Sequence, residues 1–190
     1  MVRTTASMIG VGMGLLVFAQ RAEPFASRGL LTASASIGPG YMLHLPVANI
    51  YVTGDVHYFL DDHISLCGSA AWYVDAQEDD APLKQNSRVS FGPHYHLTRG
   101  RADLALGFMP GVSLTQLEPT ASETGRTPLK VLPNATFSGK ATLYVWKYLH
   151  FFVNVGYSHA QYPNAPEGPL ALNEVLLTGG LGWQVRMFKR

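Results

Sequence analysis

The sequence predicts an all-β fold, an eight-stranded antiparallel up-and-down transmembrane β-barrel with short periplasmic turns and longer outer loops. Three observations support this prediction. Segments of alternating apolar and polar residues recur at hairpin spacing, without a sustained helical period. The connections between these segments alternate between short and long. Finally, only 14% of the residues are charged, whereas about 25% are charged in a typical soluble domain.

The N-terminal segment has the pattern of a cleaved signal peptide. Arg3 supplies a positive charge, and residues 8–19 form an apolar run that ends in acceptable cleavage-site residues. This run is too short for a membrane helix, which needs roughly 20 residues. We therefore predict a signal peptide at residues 1–19 and one barrel domain at residues 20–190. Cleavage after Ala22 and an uncleaved anchor are the weaker alternatives.

The mature chain divides into eight predicted strands of about ten residues or more. This length lets a strand tilted at about 45° cross the hydrocarbon layer, whereas strands of soluble domains average about 5 to 6 residues. In chain order, the predicted strands are residues 28–38, 48–60, 64–74, 87–97, 102–113, 133–146, 150–161 and 173–188.

The connections between the predicted strands alternate in length without exception. The second, fourth and sixth are tight, at residues 61–63, 98–101 and 147–149. The first, third, fifth and seventh are longer, at residues 39–47, 75–86, 114–132 and 162–172. An outer-membrane barrel with both termini in the periplasm requires this rhythm, because its periplasmic turns are short and its outer loops are longer.

One face of the predicted strands is apolar and carries no charged residue. The two faces can be separated because successive side chains of a strand point to opposite sides. In chain order, the apolar face carries Val52, Val56, Tyr58, Leu60, Ile64, Leu66, Ala70, Trp72, Val89, Phe91, Tyr95, Leu97, Leu104, Leu106, Phe108, Phe137, Leu143, Val145, Phe151, Val153, Val155, Tyr157, Val175, Leu177, Leu181, Trp183 and Val185.

The opposite face is small, hydroxylic and charged in both signs. Alternation alone does not decide which face points outward, and a lipocalin-like soluble barrel would bury the apolar face around a ligand. We favour a membrane barrel because the polar face is poor in the Lys and Glu that solubilise an exterior. The polar face carries Thr32, Ser34, Ser36, Thr53, Asp55, His57, Ser65, Ser69, Arg88, Ser90, His94, His96, Asp103, Thr136, Ser138, Lys140, Thr142, Asn154, Ser158, Glu174, Thr178, Gln184 and Arg186.

The lumen of an eight-stranded barrel is only wide enough to be filled by side chains, so we expect no open pore. Unpaired charges in a closed lumen would be costly. We therefore expect an internal network, formed by Asp55, His57, His94, His96, Lys140, Glu174 and Arg186.

A metal site is the alternative interpretation of the three histidines in this network, since His94 and His96 share a face and can approach His57. We expect neither a metal nor a cofactor, because no cysteine or carboxylate completes an obvious ligand set. The single cysteine, Cys67, forms no zinc-ligand spacing with the histidines.

The glycine-rich hairpin segments at residues 51–66 and 175–188 resemble those of small outer-membrane barrels of the OmpA transmembrane-domain and OmpX kind. The resemblance covers the whole mature chain. It implies a non-enzymatic envelope or adhesion role in the outer membrane of a Gram-negative cell. The implied surroundings are outer-membrane lipid and lipopolysaccharide, and the barrel assembly machinery is the implied assembly partner.

The last predicted strand resembles the C-terminal signal read by that machinery. The matching positions are Gly182, Val185, Met187 and Phe188. The chain departs from the pattern at Gly180, where a large polar residue is usual, and at Lys189 and Arg190, which follow the otherwise terminal aromatic residue.

Outer-membrane lipid A deacylases share the eight-stranded barrel and place a histidine and a serine two residues apart on one strand. His63 and Ser65 have this spacing, but they lie beside a predicted periplasmic turn, whereas the deacylase site lies near the outer surface. Ser158 and His159 are adjacent and so face opposite sides. We therefore predict that the protein is not an enzyme, with an outer-membrane lipid A-modifying enzyme as the alternative.

Two outer connections are candidate contact surfaces. The acidic residues 78–80 have the pattern of a solvated loop tip, with divalent-cation binding as the alternative. Residues 114–132 form the longest connection and the best candidate for an external contact. Nucleic acid is not an expected partner, because the net charge is +1 and the basic residues are scattered.

Overall fold

A computed structural model describes residues 25–45, 47–77, 83–118, 128–165 and 168–187. Within these residues the chain forms only β-strands, turns and irregular segments. The described residues contain no helix that is long and apolar enough to span a membrane. The predicted signal peptide, residues 1–19, lies outside the described residues.

Nine antiparallel strands form a single sheet in the described residues. They are β1 (Leu30–Met42), β2 (Ala48–Phe59), β3 (Ile64–Ala76), β4 (Leu83–Arg99), β5 (Ala102–Leu117), β6 (Lys130–Tyr144), β7 (Leu149–Ala165), β8 (Gly168–Ala171) and β9 (Glu174–Arg186).

Eight of these strands close into a barrel. In the barrel, each of the strands β1 to β6 pairs with the next one along the chain. β7 then pairs with β9, and β9 pairs with β1 to complete the circle. The first and last barrel strands meet in antiparallel register, with Leu31 opposite Val185. The predicted eight-stranded up-and-down barrel is therefore confirmed.

The ninth strand, β8, is not predicted from the sequence and lies within the predicted seventh connection, residues 162–172. It pairs only with the end of β7, where Gln161 lies opposite Ala171. This short hairpin continues the sheet beyond the barrel wall.

We call the barrel end that carries the longer connections the loop end, and the end with the tight connections the turn end.

Several strands extend further toward the loop end than predicted, and the loops between them are correspondingly shorter. β4 begins at Leu83 instead of residue 87, β5 reaches Leu117 instead of residue 113, and β6 begins at Lys130 instead of residue 133. The reason is that apolar side chains there turn inward. Leu83 and Leu117 are opposite each other in the ladder and both are buried, so the apolar-out alternation that defines the predicted strands ends before the pairing does.

The apolar face points outward and the polar face lines the lumen. Leu106 and Phe91, for example, are both 58% exposed on the barrel exterior, whereas their neighbours Ala105 and Ser90 are buried. The faces follow the sequence-based assignment along the barrel strands, with the exception of Arg186 at the end of β9. The exterior is thus apolar, and the interior holds the polar and charged side chains.

Tight turns join the strands at the turn end. In the β4–β5 turn, Gly100 has a φ of 59°, in the left-handed region that glycine adopts without steric strain. In the β2–β3 turn, Asp61 Oδ1 accepts hydrogen bonds from the backbone N–H groups of His63 and Ile64, both at 2.7 Å. These contacts account for the predicted tight turns at residues 61–63 and 98–101.

Candidate functional site

Among the described residues, apolar side chains cluster at both ends of the lumen. The turn-end cluster consists of Ala26, Leu30, Phe59 and Tyr144, with Phe25 packed against it. The loop-end cluster consists of Met42, Val47, Leu83, Leu117, Leu132, Ala160, Tyr162 and Leu172. The polar side chains of the lumen are enclosed between these two clusters, and they form the candidate site.

A buried ion pair crosses the middle of the lumen. Lys140 on β6 contacts Asp55 on the far side of the barrel, and its Nζ also donates a hydrogen bond to Ser34 Oγ at 2.7 Å. Ser34 Oγ in turn donates to Asp55 Oδ2 at 2.7 Å. His57 Nε2 lies 3.0 Å from Asp55 Oδ1. The buried ammonium therefore has a carboxylate and a hydroxyl as partners, which offsets the cost of removing it from water.

A second chain of polar contacts leads from this ion pair toward the turn end. His57 Nδ1 lies 3.2 Å from Ser65 Oγ, and Ser65 Oγ lies 2.7 Å from His96 Nε2. His96 Nδ1 lies 2.8 Å from Asp103 Oδ2. The other carboxylate oxygen of Asp103 accepts a 2.8 Å hydrogen bond from Thr98. Each of these polar groups is thus held by at least one partner.

Ser65, His96 and Asp103 are connected in the same order as the members of a hydrolase triad. Their surroundings do not provide a reaction site. Ser65 is 0% exposed, and the adjoining cavity of about 10 Å³ is only about as large as the space that one water needs. The Phe59 ring also lies against the His96 ring, with 4.4 Å between their centroids. An acyl group therefore has no path to the serine oxygen.

The His63–Ser65 spacing singled out in the sequence does not form a pair in the structure. His63 is exposed in the turn and its Nδ1 lies 3.3 Å from the backbone oxygen of His96. Ser158 is buried and His159 is exposed, so these two residues face opposite sides as predicted. The triad-like contact between Ser65 and His96 was missed because it joins neighbouring strands and leaves no short motif.

Glu174 lies in a separate cluster near the loop end. Its Oε2 lies 2.7 Å from Arg88 Nη1, and its Oε1 accepts hydrogen bonds from Asn49 at 2.7 Å and from Tyr51 at 3.1 Å. Asn86 donates to the Tyr51 hydroxyl at 3.2 Å. The predicted single network is therefore divided: Glu174 pairs with Arg88, and the other acidic and basic groups meet deeper in the lumen.

Arg186 does not belong to either cluster. The alternation of β9 gives it an inward position, but the side chain is exposed and its Nη2 donates a 3.0 Å hydrogen bond to the backbone oxygen of Phe25. The physical reason is that Arg186 lies at the turn end, where the apolar turn-end cluster separates it from the polar lumen. The prediction that Arg186 belongs to the lumen network is therefore wrong.

His94 and Cys67 line the same cavity as the central ion pair. This cavity has a volume of about 60 Å³. His94 Nε2 lies 2.7 Å from Ser138 Oγ, while its Nδ1 is buried without a hydrogen-bond partner among the described residues. Its ring fits only because residue 107 is glycine, since a Cβ there would lie 2.2 Å from Nε2. Sequence reasoning missed Cys67 here, although the inward alternation Ser65, Cys67, Ser69 places it on the lumen face.

The predicted assembly-signal residues occupy both faces of β9 and its end. Gly182 faces inward beside His150, and Val185 and Met187 are exposed on the exterior. Phe188 lies outside the described residues. The acidic residues 78–80 and residues 119–127 of the fifth connection also lie outside the described residues.

Several aromatic residues lie on the exterior near the turn end. Trp146 is 73% exposed, and Tyr148 and Trp183 are also exposed. Lys147 Nζ lies 5.1 Å from the centroid of the Tyr148 ring. Trp and Tyr side chains are enriched at membrane–water interfaces, where an apolar ring meets a polar boundary.

Comparisons with known proteins agree with this architecture. No protein-family model and no curated protein sequence matches the chain. The outer membrane protein OprG of Pseudomonas aeruginosa has a similar structure, with a TM-score of 0.61 and 13% identity over 84% of this chain and 97% of that one. Neisserial surface protein A gives a TM-score of 0.58 with 10% identity, covering 83% of this chain and 96% of its own.

The N-terminal β-barrel domain of Pseudomonas aeruginosa OprF is also similar, with a TM-score of 0.56 and 14% identity over 84% of this chain and 99% of that domain. The sequence identities are low, so these likenesses concern the fold. The fold of this chain is that of small eight-stranded outer-membrane barrels, which is the fold that its resemblance to the OmpA and OmpX kind implies.

Proposed function

We propose that this protein is a non-enzymatic integral outer-membrane β-barrel that acts through its outer loops and forms no open pore. One observation supports this proposal above the others. Large apolar side chains are exposed on all eight barrel strands, while buried ion pairs occupy the lumen. Water favours the opposite arrangement, and a hydrocarbon layer favours this one.

The size of the apolar exterior supports a membrane location. The largest apolar patch of a typical soluble monomer covers roughly 300 to 600 Å². Here exposed Val, Leu, Ile, Phe and Trp side chains follow one another around the barrel circumference, from Ile37 on β1 to Val185 on β9. A soluble lipocalin-like barrel, the alternative from the sequence, would need an apolar lumen for its ligand, and this lumen contains Lys140, Asp55 and four buried histidines.

The closed lumen supports the absence of a pore. The turn-end and loop-end clusters lie at the two ends of the polar interior, and the central cavity has a volume of only about 60 Å³. The ion pairs of Lys140 and Arg88 cross the space that a channel would occupy. In the part of the chain that the structure describes, these side chains therefore support the wall of the barrel and fill the space along its axis.

The longer connections are the proposed contact surface. All of them join strands at the loop end. The fifth runs between Leu117 at the end of β5 and Lys130 at the start of β6 and is the longest of these connections. Loops on a rigid barrel are free to vary and to carry binding residues. We assign this end to the outer surface, facing lipopolysaccharide, and the turn end to the periplasm, where the assembly machinery reads β9.

Fractionation of a Gram-negative host that expresses the full-length chain tests the proposal. We expect the protein in the outer-membrane fraction, with a mature N-terminus at Gln20 and a gel mobility that changes on boiling. A product that stays soluble without detergent would refute the membrane location. Release of fatty acid from lipopolysaccharide by the purified barrel would refute the non-enzymatic role.

A further inference from the structure

Three groups that bind metals meet in the middle of the lumen. Sγ of Cys67 on β3 and one imidazole nitrogen each of His57 on β2 and His94 on β4 lie within 4.8 Å of one another. All three side chains are at most 3% exposed. They come from three adjacent strands, so the closed barrel holds them in place, and none of the contacts depends on a loop.

One of these groups has a nitrogen without a partner. His94 is bonded at Nε2 to Ser138, and its buried Nδ1 has no hydrogen-bond partner among the described residues. Most buried polar groups have a partner, because an unpaired one loses the hydrogen bonds of water without replacement. A metal ion bound at Nδ1 would supply the missing partner, and Ser138 would keep the ring in its present orientation.

His57 is already held in the manner of a metal-binding histidine. Its Nε2 lies 3.0 Å from a carboxylate oxygen of Asp55, and its Nδ1 makes a longer contact, 3.2 Å, with Ser65 Oγ. A histidine that binds a metal through one ring nitrogen usually donates the N–H of its other ring nitrogen to a carboxylate, a carbonyl or water. Binding at Nδ1 would replace the longer contact, and Ser65 would retain its 2.7 Å bond to His96.

The cavity beside these groups leaves room for an ion. It has a volume of about 60 Å³, and the thioether of Met109 lines it together with the three ligands. Metal–nitrogen and metal–sulfur bonds of about 2.0 to 2.3 Å require the donor atoms to approach by on the order of 1 Å. Side-chain rotation within the cavity can provide a movement of this size without a change in the strands.

We propose that the lumen binds one soft monovalent cation, Cu(I), through Cys67, His57 and His94. Sulfur and imidazole donors select Cu(I) and Zn(II) over hard cations. The charge balance favours the monovalent ion. When the copper–sulfur bond forms, the thiol proton of Cys67 leaves to solvent. The Cu(I) ion and the thiolate are then neutral together. Zn(II) would leave an extra positive charge beside Lys140, whose only carboxylate partner among the described residues is Asp55.

Anaerobic titration of the full chain in detergent tests this site. The probe is Cu(I) in competition with bicinchoninate, a coloured Cu(I) chelator. We expect the barrel to retain one equivalent, and X-ray absorption of the loaded barrel to show one sulfur and two nitrogen neighbours. Cys67→Ser and His94→Gln should each weaken Cu(I) binding by about 100-fold or more, since loss of mere supporting contacts already costs about 10- to 100-fold.

His159→Gln is the matched control, because His159 is exposed outside the lumen and should leave Cu(I) binding unchanged. Retained gel heat-modifiability shows that each variant is folded. If the lumen variants do not fold, the absorption spectrum of the wild-type barrel decides the question alone. Equal retention by wild type, Cys67→Ser and His94→Gln, a spectrum without sulfur, or retention of Zn(II) but not Cu(I) would each overturn the proposal.

Discussion

At the scale of single residues, burial makes a few polar contacts energetically decisive. Lys140 is 4% exposed; its charge is paired with Asp55, and its Nζ donates a hydrogen bond to Ser34. Loss of one partner of a buried ion pair leaves the other charge without compensation, which costs more than the pair itself contributes. The lumen should therefore tolerate joint replacement of the pair better than loss of one member.

A double-mutant cycle on Lys140 and Asp55 measures this effect. We expect Asp55→Asn to lower the free energy of unfolding by about 3 kcal/mol, because Lys140 is left as a buried cation without a carboxylate. The double variant Asp55→Asn, Lys140→Met should recover more than half of this loss. Urea unfolding in detergent micelles gives the four values. Additive losses would show that the two charges are not coupled.

The two faces of β5 provide a second residue-scale prediction. Leu106 is 58% exposed on the barrel exterior, whereas the adjacent Ala105 is 1% exposed in the lumen. Leu106→Arg should make the free energy of folding into a bilayer less favourable by about 2 to 4 kcal/mol, because a charge at the bilayer midplane is poorly solvated. Ala105→Ser, the matched control, should change it by less than about 1 kcal/mol. Equal tolerance at both positions would reverse the assignment of faces.

At the scale of elements, tight turns join neighbouring strands into antiparallel hairpins. The β2–β3 turn is the clearest example, since Asp61 Oδ1 accepts hydrogen bonds from the backbone N–H groups of both His63 and Ile64. These bonds favour the charged carboxylate, and they lower the pKa of Asp61 below its ordinary value. The turn is therefore stabilised by ionised Asp61.

Substitution of Asp61 tests this turn through its pH dependence. A depressed pKa contributes stability that is complete above the ordinary carboxyl value of about 3.9 and is lost as pH falls through the lower folded-state value. Asp61→Ala should reduce the urea midpoint at neutral pH, and its difference from wild type should shrink below about pH 4.

Asp61→Asn is the control for charge, because it keeps a side-chain oxygen acceptor and loses the ionisation. Its urea midpoint should lie between those of wild type and Asp61→Ala and should show no pH dependence from this position. A constant difference between wild type and Asp61→Ala from pH 7 to pH 3 would contradict the role of the carboxylate.

At the scale of the whole molecule, closure of the sheet determines both surfaces at once. The β1–β9 pairing leaves no free edge among the eight barrel strands, so the backbone hydrogen bonds of the wall are made internally. This is the condition for a β structure in hydrocarbon. Closure also creates a lumen so narrow that its side chains fill it.

The filled lumen predicts electrical behaviour. Purified barrel reconstituted in a planar lipid bilayer should give no steady single-channel conductance, because the turn-end and loop-end clusters and the Lys140–Asp55 pair occupy the cross-section. A large porin, whose wider barrel leaves an aqueous channel, is the positive control in the same bilayers. Discrete, reproducible current steps from this protein would show that the lumen opens.

The sequence alone determined the strand order, the barrel and the outward direction of the apolar face. The strand order and the barrel follow from a local period of two and from the lengths of the connections, both of which are visible along the chain. The outward direction of the apolar face follows from the composition of the polar face, which is poor in Lys and Glu. The inward position of Asp55, His57, His94, His96 and Lys140 follows from the same period. The tight turn at Asp61 is local as well.

Only the tertiary structure decided which inward residues meet. Cys67 joins His57 and His94 because the register of three strands and the diameter of the closed barrel place them at one level. Glu174 pairs with Arg88 at a different level, and Arg186 lies beyond the apolar turn-end cluster, although all of these residues share the inward parity. The level of a side chain along the barrel axis depends on strand pairing across the sheet, which the period along one strand does not contain.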